Sequence, residues 1–322
     1  MSTTVPRHPG EPMRALRIHA RGGPEALVDE EAPVPDPAIG DVLVRVGAAS
    51  FTPTELAWPS TWVDRAGRDR TPVIPAHEVC GIVQGLGYGT TGFELGDVVY
   101  GLTDWYRDGA AAEYVAVEAR NLAPKPAALD ETEAAATPMP ALTARQALLT
   151  HGALAQGQTV LVLGAGGGVG SFAVQLARVV GASVIAVARS WARDAVLELG
   201  ADEFIDVDRE PFGAPALGVD LVFDLVGGDT LARSWSLVGP GGSVVSVVED
   251  PSTAPQRRAD ARSVFFVVEP NGAELGDLAG RLEAGELRPV VGEARPLAEG
   301  SDAFASKRSG GMLGKSVLRV AG

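Results

Sequence analysis

Short β-rich segments separated by turn residues fill the first third of the chain. Between Arg14 and about Lys125, runs of alternating or β-branched residues recur between Gly, Pro and Asp. Strands of this length with frequent turn signals predict a small, irregular β-barrel. The predicted strands are Arg14–His19, Asp41–Ala49, Val79–Leu86, Asp97–Gly101 and Glu113–Val117.

Beyond residues 124–126 the pattern changes to continuous apolar strands alternating with helices. Asp130 followed by acidic residues predicts a capped helix start, and a second helix is predicted from about Ala141 to His151. Uninterrupted apolar strands separated by helices are typical of a parallel sheet covered on both faces. Its predicted strands are Thr159–Leu163, Ser183–Val187, Glu203–Ile205, Asp220–Phe223 and Ser243–Val248, and the tail consists of Leu275–Ala284 and a strand at Val317–Val320.

Composition narrows the classes of function. The 322 residues carry a formal net charge of −14, which argues against binding to nucleic acid or to anionic membrane surfaces. No apolar run approaches the ~20 residues of a membrane-spanning helix, and Met1–Met13 has no hydrophobic segment typical of a secretory signal. The single cysteine, Cys80, lies in a strand-like run and excludes an internal disulfide. We therefore expect a cytoplasmic protein whose Cys80 is a small buried hydrophobe.

The strongest chemical signal is a glycine loop. The predicted strand Thr159–Leu163 leads into the loop Gly164–Gly170, and a helical segment follows. Missing side chains let the backbone approach a pyrophosphate, whose charge the helix N-terminal amides can meet. The spacing Ala165-x-Gly167-x-x-Gly170 has Ala in place of the first glycine. A tight strand–helix turn is the plainer interpretation, but the flanking strands and helix favour a dinucleotide site.

The end of the second strand indicates which dinucleotide binds. An NAD site usually has Asp or Glu here, about 20 residues after the loop, to hold the ribose hydroxyls. This chain has Arg189 and Ser190, with Arg193 one turn further on. Guanidinium groups and a hydroxyl would bind the 2′-phosphate of NADPH, so we predict NADPH as the cofactor. The alternative is that both arginines are solvated surface charges.

Several motifs together resemble a known family. They are Gly40–Val46, Pro75–Val83, Gly96–Tyr100, Ala112–Tyr114, Leu142–Ala144, the glycine loop and Gly314–Lys315. From Met13 to Val320, the chain resembles the medium-chain dehydrogenase/reductase superfamily, and within it the zinc-free quinone oxidoreductase and enoyl reductase branch. These motifs are specific for the superfamily and much less so for a substrate.

The resemblance implies an α/β fold in which a Rossmann doubly wound parallel sheet is joined to a GroES-like β-barrel. The expected domains are 1–127 for the GroES-like substrate domain, 128–267 for the Rossmann domain, and 268–322 for a segment that returns to the substrate domain. Residues near Phe265–Val267 would run beside the cofactor and form a homodimer edge. The expected cofactor-binding residues are Thr143, Gly167, Gly168, Val169, Arg189, Ser190, Arg193, Val226, Phe266 and Lys315.

Zinc is not expected, although His77-Glu78 looks like the zinc-dependent alcohol dehydrogenases. A catalytic zinc needs three Cys, His or carboxylate ligands. The resemblance places the first ligand position on Thr52 and the third on Met139, and neither is a credible zinc ligand. We therefore interpret His77 as a structural or substrate-cleft residue.

The resemblance places the substrate cleft along Ser50–Trp58. Thr52 or Thr54 could donate a hydrogen bond to a substrate carbonyl, and Tyr106 could donate a proton. Trp58, Trp62 and Trp105 could form an aromatic wall, although packing in a core or rim is as plausible for each.

Three functions follow as hypotheses. The first is NADPH-dependent hydride transfer to a small apolar quinone or α,β-unsaturated carbonyl substrate, which needs no metal to polarise an alcohol. The second is an NADPH-dependent ketone or aldehyde reductase that uses Thr54 and ordered water. The third is a cofactor-binding protein with little turnover, because binding motifs do not prove catalysis.

Overall fold

The computed structural model describes residues 7–209, 218–309 and 311–320. Its strands are β1 (Pro12–Ile18), β2 (Leu27–Pro33), β3 (Asp41–Phe51), β4 (Glu78–Leu86), β5 (Val98–Leu102), β6 (Tyr114–Glu118), β7 (Leu122–Pro124), β8 (Thr159–Leu163), β9 (Ser183–Ala188), β10 (Glu203–Asp206), β11 (Val219–Asp224), β12 (Val238–Ser246), β13 (Arg262–Phe265), β14 (Val291–Pro296) and β15 (Lys315–Arg319).

The α-helices are α1 (Pro59–Trp62), α2 (Glu131–Ala135), α3 (Pro138–Arg145), α4 (Gly168–Val180), α5 (Arg193–Glu198), α6 (Gly228–Ser234), α7 (Gly272–Glu283) and α8 (Gly300–Ser309). A π-helical turn at Gln146–His151 continues α3. None of these helices in the described parts of the chain is long and apolar enough to cross a bilayer.

A GroES-like, barrel-like sheet is built from both ends of the chain. Strands β14, β15, β3, β4, β5 and β7 lie in that order, and β6 also pairs with β3. The antiparallel pairing of β15 with β3 brings the last strand of the chain back to this sheet. A second, two-stranded sheet pairs β1 with β2. The core of this unit includes a stacked pair of rings, Phe51 and Phe304, whose centroids lie 3.7 Å apart.

A Rossmann-type sheet occupies the middle of the chain. Its six strands are all parallel, in the order β10-β9-β8-β11-β12-β13. The central strands β8 and β11 are almost continuously buried, as expected for a sheet covered on both faces. The fold class predicted from the sequence is therefore confirmed.

Local signals were accurate where one element carries them. Asp130 forms a capping box with Glu133 at the start of α2, as predicted. Cys80 is buried in β4, and burial raises the pKa of its thiol to about 12, so it is not a thiolate nucleophile at neutral pH. The predicted helix at 141–151 is different in detail: α3 starts earlier, at Pro138, and ends in the π-helical turn.

Candidate active site

The carboxyl ends of the parallel strands form the edge on which the candidate site is built. The chain order reverses between β8 and β11, since β9 lies on one side of β8 and β11 on the other. Such a switch point leaves a crevice outside the carboxyl ends of the strands, where open α/β sheets bind ligands. The glycine loop follows β8 at this crevice, so the predicted cofactor loop lies where the topology favours a ligand.

The glycine loop combines a tight turn with open space. A Cβ atom placed on Gly170 would lie 2.3 Å from the Gly164 carbonyl oxygen, so a side chain there cannot fit between α4 and the loop. By contrast, a Cβ on Gly167 would meet only that oxygen, at 3.5 Å, which is ordinary contact. No side chain of the described chain caps the N-terminus of α4. Its first amides are thus available to a pyrophosphate, and the loop fits a dinucleotide.

The residues predicted to bind a 2′-phosphate lie in the turn after β9 and at the start of α5. Arg189 is exposed directly after β9, and Ser190 is half-buried. The Arg193 guanidinium carbon lies 5.2 Å from the centre of the Phe204 ring, a cation–π contact on β10. The Ser190 hydroxyl donates to a carboxylate, Asp206 Oδ2, at 2.7 Å. Sequence reasoning missed this acid because Asp206 is 16 residues away.

Other predicted cofactor residues flank the loop. Gly168 and Val169 form the first turn of α4, and the half-exposed Val226 follows β11, where its Cγ2 lies 3.1 Å from a Cβ position on Gly164. Thr143 is buried, and its hydroxyl donates to the Met139 carbonyl at 2.6 Å. The proton of this hydroxyl is therefore engaged inside α3.

Phe266 and Asp224 also lie at the carboxyl ends of the parallel strands. The ring of Phe266 is buried directly after β13, and its centroid lies 4.4 Å from that of His151. The carboxylate of Asp224, at the end of β11, accepts hydrogen bonds from the Ser246 hydroxyl at 2.7 Å and from the Val226 amide at 3.1 Å. Asp224 was not predicted, although a carboxylate that ends a buried apolar strand is a usable signal.

Lys315 joins the glycine loop to the barrel-like sheet. Its Cδ lies 2.7 Å from a Cβ position on Gly168, so the lysine stem covers the loop. The ammonium group donates to the Phe51 carbonyl at 2.7 Å and forms an ion pair with Glu78. All three side chains are buried. Lys315 lies beside the loop as predicted, but its charge is already paired with the barrel-like sheet.

An aromatic group lies on the barrel side of the crevice. Trp105 contacts Trp58 and His77 edge-on, with centroids 5.3 Å and 5.1 Å apart, and its indole N–H donates to the Val268 carbonyl at 3.0 Å. His77 Nδ1 shares a hydrogen bond with Thr103 Oγ1 (2.7 Å). Burial lowers the pKa of His77 to about 3, helped by nearby Arg70, so this imidazole is neutral at physiological pH.

Trp62 does not join this aromatic group. Only 4% of Trp62 is exposed, within the core of the barrel-like unit, and its indole N–H donates to the Leu56 carbonyl at 3.0 Å. Trp62 therefore packs in the core and does not form part of the expected aromatic wall, because its ring is buried and its indole N–H is hydrogen-bonded there. Nothing in the sequence separates Trp62 from Trp58, which lies one helical turn earlier.

The predicted polar residues of the cleft are only partly assembled. Thr52 follows β3 and is half-buried, whereas Thr54 is exposed. Tyr106 is half-buried, and the guanidinium carbon of Arg65 lies 4.6 Å from the centre of its ring. Of the three, Thr52 is tied most directly to the buried groups, because its amide donates to Glu55 Oε2 at 3.0 Å.

Glu55 is a buried carboxyl group that sequence reasoning missed. Its other oxygen, Oε1, accepts from the Ala76 amide at 2.6 Å, so one carboxylate links Thr52 to the residue before His77. Ala76 has φ = 69°, a left-handed conformation that is unusual for Ala. Burial raises the pKa of Glu55 to about 7, opposed by its two amide donors. This hydrogen bonding holds a strained turn that positions His77.

These features together define a class of protein. A Rossmann-type sheet with a dinucleotide-fitting loop, packed against a barrel-like sheet with an aromatic crevice, is the architecture of a two-domain oxidoreductase. Comparison with known proteins agrees. Residues 38–127 match the model of the alcohol dehydrogenase GroES-like domain, and residues 199–318 match that of a zinc-binding dehydrogenase.

Full-length relatives identify the family. The chain is 35% identical to 2-methylene-furan-3-one reductase of Solanum lycopersicum, over 95% of this chain and 79% of that one. The structure of the quinone oxidoreductase from Coxiella burnetii aligns with a TM-score of 0.86 at 28% identity, over 97% and 100% of the two chains. A crystal structure titled as an NAD-dependent alcohol dehydrogenase aligns with a TM-score of 0.85 at 28% identity, over 96% and 100%. The chain belongs to the medium-chain dehydrogenase/reductase superfamily, in its quinone oxidoreductase-like branch.

The residues present do not fit the zinc ion that a zinc-binding dehydrogenase model implies. In the described part of the chain, no three His, Cys, Asp or Glu side chains group so that they could hold a metal ion. His77 uses Nδ1 on Thr103, and the two positions that the resemblance pairs with it are Thr52 and Met139. A zinc site needs three ligands of the right type, so no step of the reaction is assigned to a metal.

We expect Gly167→Ala and Gly170→Ala to separate binding from folding. The Gly167 methyl group would occupy the open space beside the loop and weaken dinucleotide binding about tenfold, with little loss of stability. The Gly170 methyl group would clash with backbone and lower stability by about 1–3 kcal/mol. Thermal unfolding and cofactor titration of both variants measure these effects. Unchanged binding by Gly167→Ala would show that the pyrophosphate lies elsewhere.

We expect Glu55→Gln to change how stability depends on pH. Because burial raises the pKa of Glu55 in the folded protein to about 7, above its ordinary value of 4.5, the folded state binds this proton more tightly than the unfolded state. The wild type should therefore lose stability as pH rises through this window, on the order of 1–3 kcal/mol, and Glu55→Gln should not show this loss. Unfolding midpoints from pH 4.5 to 8 test this, with exposed Glu94→Gln as the control. A difference in unfolding midpoint between the wild type and Glu55→Gln that stays constant across this pH range would contradict the prediction.

Proposed function

We propose that this protein is an NADPH-dependent, zinc-free oxidoreductase that transfers a hydride to a small apolar quinone or α,β-unsaturated carbonyl substrate. The observation that carries the proposal is the contact of Lys315 with both Gly168 and Phe51, because it supports a cofactor on the glycine loop that lies near the end of β3, where Thr52 follows. The bound cofactor supplies the hydride. The remaining tasks belong to the chain's own residues.

The chain's own residues have to orient the substrate and exclude water from it. Trp58 and Trp105 offer flat apolar surface to a planar conjugated acceptor, and the neutral His77 adds no charge to it. In this proposal the Thr52 hydroxyl donates to the substrate carbonyl oxygen, where negative charge develops during reduction. Thr54 is exposed and Tyr106 is half-buried, and these two residues are the candidates for the proton that completes the reaction.

The choice of NADPH rests on the charges after β9. Arg189 is exposed, its guanidinium group makes no hydrogen bond or ion pair with another described residue, and Arg193 lies close by on α5. A free guanidinium group suits a 2′-phosphate. The first position after β9 holds no acid that could bind the ribose hydroxyls.

The relatives support conjugate reduction, and one supports an alternative. The tomato protein is named for a methylene-furanone and the Coxiella burnetii protein for a quinone. The similarity to an alcohol dehydrogenase favours the second candidate, a ketone or aldehyde reductase in which Thr54 and water supply the proton. A cofactor-binding protein with little turnover is the third.

We also propose that the protein is a cytoplasmic homodimer. Phe265 and Val267, at the edge strand β13, are 44% and 60% exposed, and covering them would favour association. The buried, unpaired Cys80 suits a reducing compartment. The mass in solution tests the dimer, and a monomer at micromolar concentration contradicts it.

A substrate panel should separate the three functions. We expect NADPH oxidation with 2-enones and quinones, and little with simple ketones and aldehydes, because a conjugated acceptor spreads the charge that hydride transfer creates. In the described residues, no three His, Cys, Asp or Glu side chains group so that they could hold a metal ion to polarise an isolated carbonyl. Absorbance at the reduced nicotinamide band measures turnover. Consumption of the ketones alone would favour the second candidate, and NADPH binding without any oxidation would favour the third.

We expect Arg189→Asp to weaken NADPH binding about tenfold or more while leaving NADH binding nearly unchanged, because the new carboxylate would repel only the 2′-phosphate. Equilibrium titration with both cofactors measures this. Arg178→Asp, in the last turn of α4, is a control for the charge change alone. Equal losses for NADPH and NADH would remove Arg189 from the phosphate site.

A further inference from the structure

Ser190 is engaged by two acids. Its hydroxyl donates to Asp206 Oδ2 at 2.7 Å, and its amide donates to Asp208 Oδ2 at 3.1 Å. The sequence suggests a phosphate subsite made of two guanidinium groups, Arg189 and Arg193, and the Ser190 hydroxyl. In the folded chain, however, the hydroxyl and the amide of Ser190 both donate to carboxylates.

The sheet register explains this arrangement. Strands β9 and β10 are parallel neighbours, and Asp206 pairs with Ala188, two residues before Ser190. The segments that follow β9 and β10 therefore leave the sheet at the same edge. Asp206 is buried, whereas Asp208 is exposed. The Asp208 backbone N–H donates a hydrogen bond to Asp206 Oδ1 at 3.0 Å. The turn after β10 thus holds the carboxylate against the serine.

Asp206 carries its negative charge at neutral pH. The hydrogen bond from Ser190 lowers the pKa of this carboxyl group. The nearby cations neutralise it only partly: the Arg209 Nε lies 3.6 Å from Asp206 Oδ2 on an exposed side chain, and the Arg193 guanidinium lies over Phe204. A dianionic phosphate at Ser190 would meet this charge at short range.

We propose that Asp206 is a cofactor-selectivity residue, which lowers the preference for NADPH over NADH by holding the Ser190 hydroxyl and by placing a carboxylate beside it. The inference rests on the proposed use of a nicotinamide dinucleotide. To bind the 2′-phosphate, Ser190 must give up its bond to Asp206, and the carboxylate then faces the phosphate. A ribose 2′-hydroxyl carries no such charge and can itself donate to a carboxylate.

Asp206→Asn tests the proposal while keeping the shape of the side chain. We expect NADPH to bind about tenfold more tightly and NADH to change by less than about twofold, because one charge near the 2′ position is removed. Titrations of the intact protein with NADPH, NADH, adenosine 2′,5′-bisphosphate and AMP measure this. The last two differ only in the 2′-phosphate, so they need no turnover and no known substrate.

Two further variants make the test specific. Asp202→Asn removes the same charge at the other end of β10, where Asp202 Oδ2 accepts from the Val184 amide at 2.8 Å, and should leave the ratio of affinities unchanged. Asp208→Asn alters the exposed acid, so it tests the same idea without disturbing a buried group. We expect a shift of about threefold in the same direction, smaller at high salt because the group is exposed.

The outcomes are distinct. An unchanged ratio in both Asp206→Asn and Asp208→Asn overturns the inference. So does weaker binding of NADPH by Asp206→Asn, since the carboxylate would then position Ser190 for the phosphate. If Asp206→Asn does not fold, Asp208→Asn decides alone. If the wild type binds neither dinucleotide, the proposed function fails as well, whereas wild-type binding with no change in the ratio leaves that function standing.

Discussion

The ion pair between Lys315 and Glu78 is the interaction on which the site depends. Lys315 begins β15, the last strand, and its stem covers Gly168 while its ammonium reaches the end of β3 and Glu78 on β4. Burying two charges is costly, and removal of one partner would leave the other charge unpaired inside the protein. The arrangement therefore specifies one relative placement of the glycine loop and the barrel-like sheet, and it explains why the chain returns to β3 after completing the Rossmann-type sheet.

Sequence reasoning succeeded where a single element carries the signal. The order of apolar strands predicted the parallel sheet, and the glycine spacing predicted the loop at its switch point, because both depend on local backbone geometry. It failed where residues far apart in the chain meet. Glu55 looks like any acid after a turn, yet it binds the Ala76 amide 21 residues later. Trp58 and Trp62 are equivalent in the sequence, but only Trp58 lies beside Trp105, whereas Trp62 entered the core.

An acidic protein that binds an anionic dinucleotide needs local sources of positive potential. A net charge of −14 opposes long-range attraction of an anionic cofactor, so short-range contacts have to supply the binding energy. The uncapped amides at the start of α4 provide such contacts without a cationic side chain. This also explains why the lysine next to the loop can be used elsewhere: the backbone meets the pyrophosphate, and Lys315 is free to pair with Glu78.

The side chains next to the barrel-like sheet indicate how a substrate could be positioned without a zinc ion. In a metal site, the ion polarises the carbonyl and its ligands position one another. Here Glu55 takes over the positioning, because its carboxylate ties Thr52 and the left-handed Ala76 turn together, while His77 is fixed by Thr103 and held neutral by burial. Under the proposed function, the substrate carbonyl is then polarised by hydroxyl donors, which are weaker than a cation. A conjugated acceptor spreads the charge that hydride transfer creates and so demands less of those donors than an isolated ketone does.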